Sequence, residues 1–182
     1  MNRNKTVFAL FIGMVMLISV LILPSVALAQ DSGISPAHGW VTSPPSRQDH
    51  CSRTNPNVNW CGDLQYEPQS VEGKKGSLLC SGGNPRFPIL DDETKPWPVS
   101  EIGRSVMINW KNTMPHVTSN WEYLVDGEIH ASFPGNGQVP GLTVSHPLTD
   151  LPLGRHKILA RWNIGDTAYA FYNCIDVNVV GS

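Results

Sequence analysis

The chain of 182 residues has no internal repeat, no low-complexity tract and no long segment with apolar residues at helical spacing. The first absence excludes a solenoid, the second a compositionally biased linker protein, and the third a helical bundle or a sheet built on crossover helices. No two cysteines stand at C-x₂₋₄-C spacing, which counts against a cysteine-held zinc. Clustered Lys and Arg are missing too, so nucleic acid is not an expected partner.

What the chain does have begins with a leader. Arg3 and Lys5 form a basic start, Val7 to Leu23 is almost wholly apolar, and a small-residue stretch follows Pro24, the pattern of a removed signal peptide. The alternative is a membrane anchor, because the apolar run approaches the roughly 20 residues that cross a bilayer. Two cleavage points compete. Ala27-Leu28-Ala29 is the better A-x-A match and would start the chain at Gln30, whereas cutting after Ala37 exposes His38. The second choice divides the chain into a signal peptide, 1–37, and one domain, 38–182, of 145 residues. That length supports one core and no appended module. It also removes Arg3, Lys5 and Asp31, so 13 basic and 15 acidic residues become 11 and 14, a formal charge of −3. The product is expected to be secreted, free of the membrane and monomeric.

All four cysteines survive that cut, and an even number in an exported chain reads as two disulfides among three pairings. Cys51 with Cys61 is favoured as a short loop, leaving Cys80 with Cys174 to tie the middle of the chain to its last strand. From Ser43 to about Pro98 the chain is rich in Pro, Gly, Ser and Asn, and predicts loops with a short helix or two around Asp63 to Val71. Beyond that, apolar residues alternate at Val106–Trp110, Trp121–Val125, Ile158–Trp162 and Ile175–Val179, the period of half-buried strands. Asp126-Gly127 between two such runs predicts a two-residue hairpin. These signals predict an all-β, immunoglobulin- or fibronectin III-like antiparallel sandwich, with the long loop region packed on one end. Trp40, Trp97, Trp110, Trp121 and Trp162 are expected in the core.

The chemistry centres on histidine. A terminal His38 would offer its α-amine and its own Nδ1 as a chelate that no internal histidine can form. His116, in Met114-Pro115-His116, falls on a strand-to-loop corner, where a histidine taken alone is structural or merely exposed. A late segment, Asp166-Thr167-Ala168-Tyr169-Ala170-Phe171-Tyr172, can meet both at one end of a sandwich. His50, His130, His146 and His156 have no partner motif.

These residues carry a resemblance. His38-Gly39-Trp40-Val41-Thr42-Ser43-Pro44-Pro45-Ser46-Arg47, Gln65-Tyr66-Glu67-Pro68-Gln69-Ser70-Val71-Glu72-Gly73, Pro115-His116, Trp121-Glu122-Tyr123 and the 166–172 segment are similar, in order, to the chitin-active lytic polysaccharide monooxygenases of auxiliary activity family 10. The likeness spans His38 to about Val180. It implies a fibronectin-like sandwich bearing one copper on a flat face, held by the terminal amine, His38 and His116. Three nitrogen donors in a T-shape suit tetragonal Cu(II), and since the amine must lose its proton to bind, affinity should fall in mild acid. By the same resemblance Phe171 screens an axial position, Glu72 positions the oxygen co-substrate and handles protons, and Asp166 lies near the amine. Read without it, Glu72 is a solvated loop glutamate and Asp166 a turn cap.

For substrate, the resemblance matches Tyr66 to an exposed stacking aromatic, with Glu67, Gln65 and Thr118 offering hydrogen bonds. Trp60 either extends that surface or covers the Cys51–Cys61 loop. The implied reaction is C1 oxidation of crystalline chitin, with cellulose the alternative, driven by an external electron donor and by oxygen or hydrogen peroxide. It differs from hydrolysis, which needs an acid–base carboxylate pair; here only Glu67 and Glu72 could serve. The rival reading is a non-catalytic carbohydrate-binding protein or adhesin, which cleavage at Ala29 would produce by covering His38. One departure stands out: many relatives place alanine two residues before the second histidine, where this chain has Met114.

Overall fold

Alternation organises the strands much as the sequence predicts. Four coincide with alternating segments, β4 (Val106–Met114), β5 (Thr118–Val125), β8 (Gly154–Ile164) and β9 (Tyr169–Val180), and β6 (Glu128–Gln138) is the second arm of the expected hairpin. In this computed structural model, which describes residues 37–181, four shorter strands join them. These are β1 (His38–Ser43), β2 (Glu72–Lys74), β3 (Ser100–Gly103) and β7 (Thr143–Leu148). The leader and both candidate cleavage sequences upstream of Ala37 lie outside the described residues. Asp126 and Gly127 both take positive φ, 50° and 96°, and close the β5–β6 hairpin.

The strands form two sheets. One has the order β1-β4-β7; the other has six strands in the order β2-β9-β8-β5-β6, with β3 lying against the end of β9. That β3–β9 pair is parallel, the one departure from an antiparallel arrangement in this sheet. Val41, Ile108 and Trp110 of the small sheet face Trp121, Tyr123, Ile158, Trp162, Phe171 and Ile175 of the large one. Trp121 and Trp162 stack with centroids 4.9 Å apart, and Trp110 meets Trp121 edge-on at the same distance. Each such pair contributes about 0.5–1.5 kcal/mol beyond the burial of its area. Gly39 lets β1 approach, because a Cβ there would lie 2.6 Å from Asn112 Oδ1.

The loop region packs elsewhere than on one end. Leu64, Val71, Phe87, Leu90 and Trp97 cover the outer face of the large sheet, against Leu124, Leu159, Ala170, Tyr172 and Cys174. The reason lies in β8 and β9, which carry apolar residues on both faces: Leu159 alternates with Ile158, and Tyr172 with Phe171, so each face must be covered. The disulfides Cys51–Cys61 and Cys80–Cys174 tie this layer down. Beside them α1 (Arg47–Cys51) begins at Ser46, whose hydroxyl accepts from the Asp49 N–H at 3.2 Å. Arg47 is 1% exposed and binds Asp176 at 2.7 Å and Glu93 at 2.9 Å, and donates to the Leu90 carbonyl at 2.7 Å. A five-residue helix is too short for periodicity, so the sequence offers no sign of it.

Among the described residues no helix is long and apolar enough to cross a membrane.

Candidate metal centre

The pairing of β1 with β4 brings the two histidines to one end of the small sheet. His38 opens β1 opposite Met114, the last residue of β4, and His116 follows two residues later. Gly39 pairs with Asn112, so β4 carries one extra residue at Thr113, a bulge of the kind that re-aims side chains at strand ends. Thr118 fixes what comes next. Its hydroxyl donates to the His116 carbonyl at 2.9 Å and accepts from the Trp162 indole at 2.8 Å. With only 1% of it exposed, Thr118 cannot reach a polysaccharide, which corrects the substrate contact expected of it.

A second loop closes in from the other sheet. The Gly165 N–H donates to the Val117 carbonyl at 2.6 Å, and a Cβ at Gly165 would lie 2.7 Å from a Val117 methyl, so glycine permits the approach. Asp166 is thereby set with its carboxylate oxygens 3.1 and 3.2 Å from His116 Nε2. The local turn cap is Thr167, whose hydroxyl accepts from the Tyr169 N–H, rather than Asp166.

Behind His38 lies Phe171, edge-on at 6.4 Å and 1% exposed. Glu72 sits beside it, because β2 pairs Glu72 with Phe171. His38, Glu67, Glu72, Arg86 and Phe171 share a shallow depression of about 500 Å³. Glu72 is no solvated loop residue: its Oε1 is buried and, among the described residues, has no hydrogen-bond partner. Burial pushes its carboxyl up to about 7, since the charged form loses hydration.

Around the depression, Tyr66 is 60% exposed at the end of a 3-10 helix, Gly62–Tyr66. The Arg53 guanidinium lies 5.1 Å from its ring centroid, and Arg86 pairs with Glu67. Neither arginine was marked by the sequence, because each partner is 13 or 19 residues away across loops without periodicity. Gln65 is half-buried and donates locally to the Gly62 carbonyl at 2.9 Å. Trp60 packs edge-on against Trp97 at 6.0 Å and is a partly buried member of the loop layer.

Could these residues hold a metal? Among the described residues, no three His, Cys, Asp or Glu side chains converge as a ready cage. Two histidines do lie at the same end of the β1–β4 pair, and His38 shares a depression with Glu72, one of whose carboxyl oxygens is buried without a partner among the described residues. In the intact chain the His38 nitrogen is an amide, joined to the fully buried Ala37. Cutting that bond would turn it into a third nitrogen donor, a set that fits copper.

Comparison with known proteins decides the family. Residues 38–149 match the family described as lytic polysaccharide mono-oxygenase, cellulose-degrading. A lytic chitin monooxygenase of Streptomyces ambofaciens is 47% identical over 91% of this chain and 95% of its own length. One from Enterococcus faecalis is 35% identical over 80% and 87%. Among solved structures, a Jonesia denitrificans lytic polysaccharide monooxygenase is similar at a TM-score of 0.76, with 56% identity, over 79% of this chain and all of that one. This chain belongs to the lytic polysaccharide monooxygenase family. As a lytic polysaccharide monooxygenase it is an oxidoreductase on an immunoglobulin-like sandwich. The candidate site thus draws on the paired ends of β1 and β4, one turn of the 165–167 loop, and the start of β9.

Proposed function

We propose that this monooxygenase is secreted, cut after Ala37, and binds one copper through the His38 amine, the His38 imidazole and His116, to cleave crystalline chitin oxidatively at C1. The single observation that supports this best is the register that puts His38 opposite Met114 and so next to His116, with Phe171 and Glu72 behind. Maturation at His38 is supported by a family match that begins at that residue, and by solved relatives covered whole by 79% of this chain. Chitin is favoured over cellulose because the two curated relatives are named lytic chitin monooxygenases.

Copper, when bound, supplies one-electron redox chemistry toward oxygen or hydrogen peroxide, with electrons from an external donor. The chain's residues do the rest. Phe171 keeps one side of the centre apolar and free of water. Glu72, whose burial pushes its carboxyl up to about 7, can hold a proton in the wall of the depression, where the co-substrate would need it. Asp166 orients the His116 ring through Nε2. Tyr66, stiffened by Arg53, stacks on a sugar ring, while Glu67 offers hydrogen bonds to acetamido or hydroxyl groups.

Intact mass of the secreted protein tests the reading: it should begin at His38 and gain one copper. A chain beginning at Gln30 would favour the binding-only alternative. His116→Ala should remove oxidised chito-oligosaccharides by more than the roughly 10–100-fold that loss of an outer partner costs, with the thermal transition unchanged. Normal yields from that variant would sink the ligand assignment.

A further inference from the structure

Only two methionines follow residue 37, Met107 and Met114, and both lie on β4. They are matched in accessibility, at 46% and 45% exposed, and differ in surroundings. Met107 sits near the start of the strand, opposite Pro147 of β7. Met114 ends the strand opposite His38. Alternation through the buried Ile108, Trp110 and Asn112 would turn Met114 inward, and the extra residue at Thr113 accompanies its outward exposure instead. Directly opposed residues of an antiparallel pair hold their Cβ atoms about 4.5–5.5 Å apart on one face. Met114 therefore stands across from the first of the two histidines, with its side chain about half exposed.

Thioethers react with peroxide, and the reaction needs access to the sulfur. We propose that Met114 is an oxidation site of this protein, converted to its sulfoxide ahead of Met107 by peroxide held at the His38–His116 centre. The inference rests on the copper reading above. In the step, a sulfur lone pair forms the S–O bond as the peroxide O–O bond breaks, and the departing hydroxide takes up a proton to become water. Sulfur loses two electrons and peroxide gains them. Nearness to the place where peroxide is bound, rather than exposure, selects between the two methionines, because a held reactant acts at a far higher effective concentration than a free one.

Lys111 lies between the two, so trypsin places them on separate peptides. Copper-loaded secreted protein with ascorbate, and no polysaccharide, is titrated with hydrogen peroxide, and the one-oxygen mass gain of each peptide is followed. The Met114 peptide should be oxidised about five-fold or more ahead of the Met107 peptide, and the two rates should converge to within about two-fold in metal-stripped protein. Equal rates in copper-loaded protein that still oxidises chitin would overturn the proposal and leave the copper reading standing. A preference that persists undiminished without metal would overturn it as well, by assigning the selectivity to intrinsic reactivity. Protein that takes up no copper at all would overturn both.

Discussion

The sandwich interior and the loop layer share β8 and β9 as a common wall, yet they cohere by different means. Inside, Trp110, Trp121, Tyr123 and Trp162 interlock within one continuous core. Outside, 44–99 has little regular structure of its own and hangs on a few particular links: two disulfides, the Arg47 ion pairs and short 3-10 turns. The lesson is that a periodic core spreads its stability, whereas an aperiodic layer concentrates it. The proposed metal centre draws on both, with His38 and His116 at the end of the β1–β4 pair and Glu72 on β2, the short strand by which the 44–99 region joins the large sheet.

That contrast can be broken most directly at Cys80–Cys174, which closes a separation of 94 residues between layer and sheet. Replacing both cysteines with alanine should lower unfolding free energy by about 4–5 kcal/mol, against about 3 for the Cys51–Cys61 pair with its separation of 10. Denaturant titrations measure both, and equal losses would refute the assignment of the longer bridge as the main tether. Next in size is Arg47→Ala. It strands Asp176, whose carboxylate pairs with the guanidinium of an Arg47 that is 1% exposed, and should cost about 3 kcal/mol. Glu93 is 59% exposed on its side chain and can return to water, which keeps the loss from growing.

The sandwich interior has its own weak point, in acid. The Tyr123 hydroxyl accepts from Trp110 at 3.0 Å and meets His146 Nδ1 at 2.7 Å, and His146 stacks on Phe133 at 4.4 Å. Burial pushes the His146 imidazole down to about 4. Below the ordinary histidine value near 6.5 the unfolded chain takes a proton that the folded one refuses, so stability falls as pH drops from about 6.5 toward 4. The loss should approach about 2–3 kcal/mol, and His146→Gln should flatten that part of a plot of melting temperature against pH. His156 acts in the opposite sense, since hydrogen bonding to Asp126 raises it and its contribution fades as pH rises through that raised value. The smallest effect is expected at Ser46→Ala, about 1 kcal/mol from loss of the α1 cap, seen as a slight drop in melting temperature.

Much of the sandwich was legible because side chains in strands alternate with period two. Ile108 and Trp110, Trp121 and Tyr123, Ile158, Ala160 and Trp162 announced their faces, and Asp126-Gly127 announced its turn. β1 was missed, since Gly39 and the cis Ser43-Pro44 bond flank too short a run to show a period. The site was legible in its residue types and order, through resemblance rather than periodicity. Its neighbours were not: Arg53 under Tyr66, Arg86 on Glu67 and the burial of Thr118 are all matters of loops folding back from elsewhere.

By itself the amino-acid order determined the strand faces, the hairpin, the family and the pair of histidines, all of which depend on local pattern or on residue identity. Tertiary structure alone decided that the loops cover the large sheet's outer face, that burial raises the Glu72 carboxyl, and that Met114 is exposed opposite His38. Those three outcomes depend on which distant backbone segments meet, and on a one-residue bulge that reverses a side chain's direction, neither of which a linear pattern encodes.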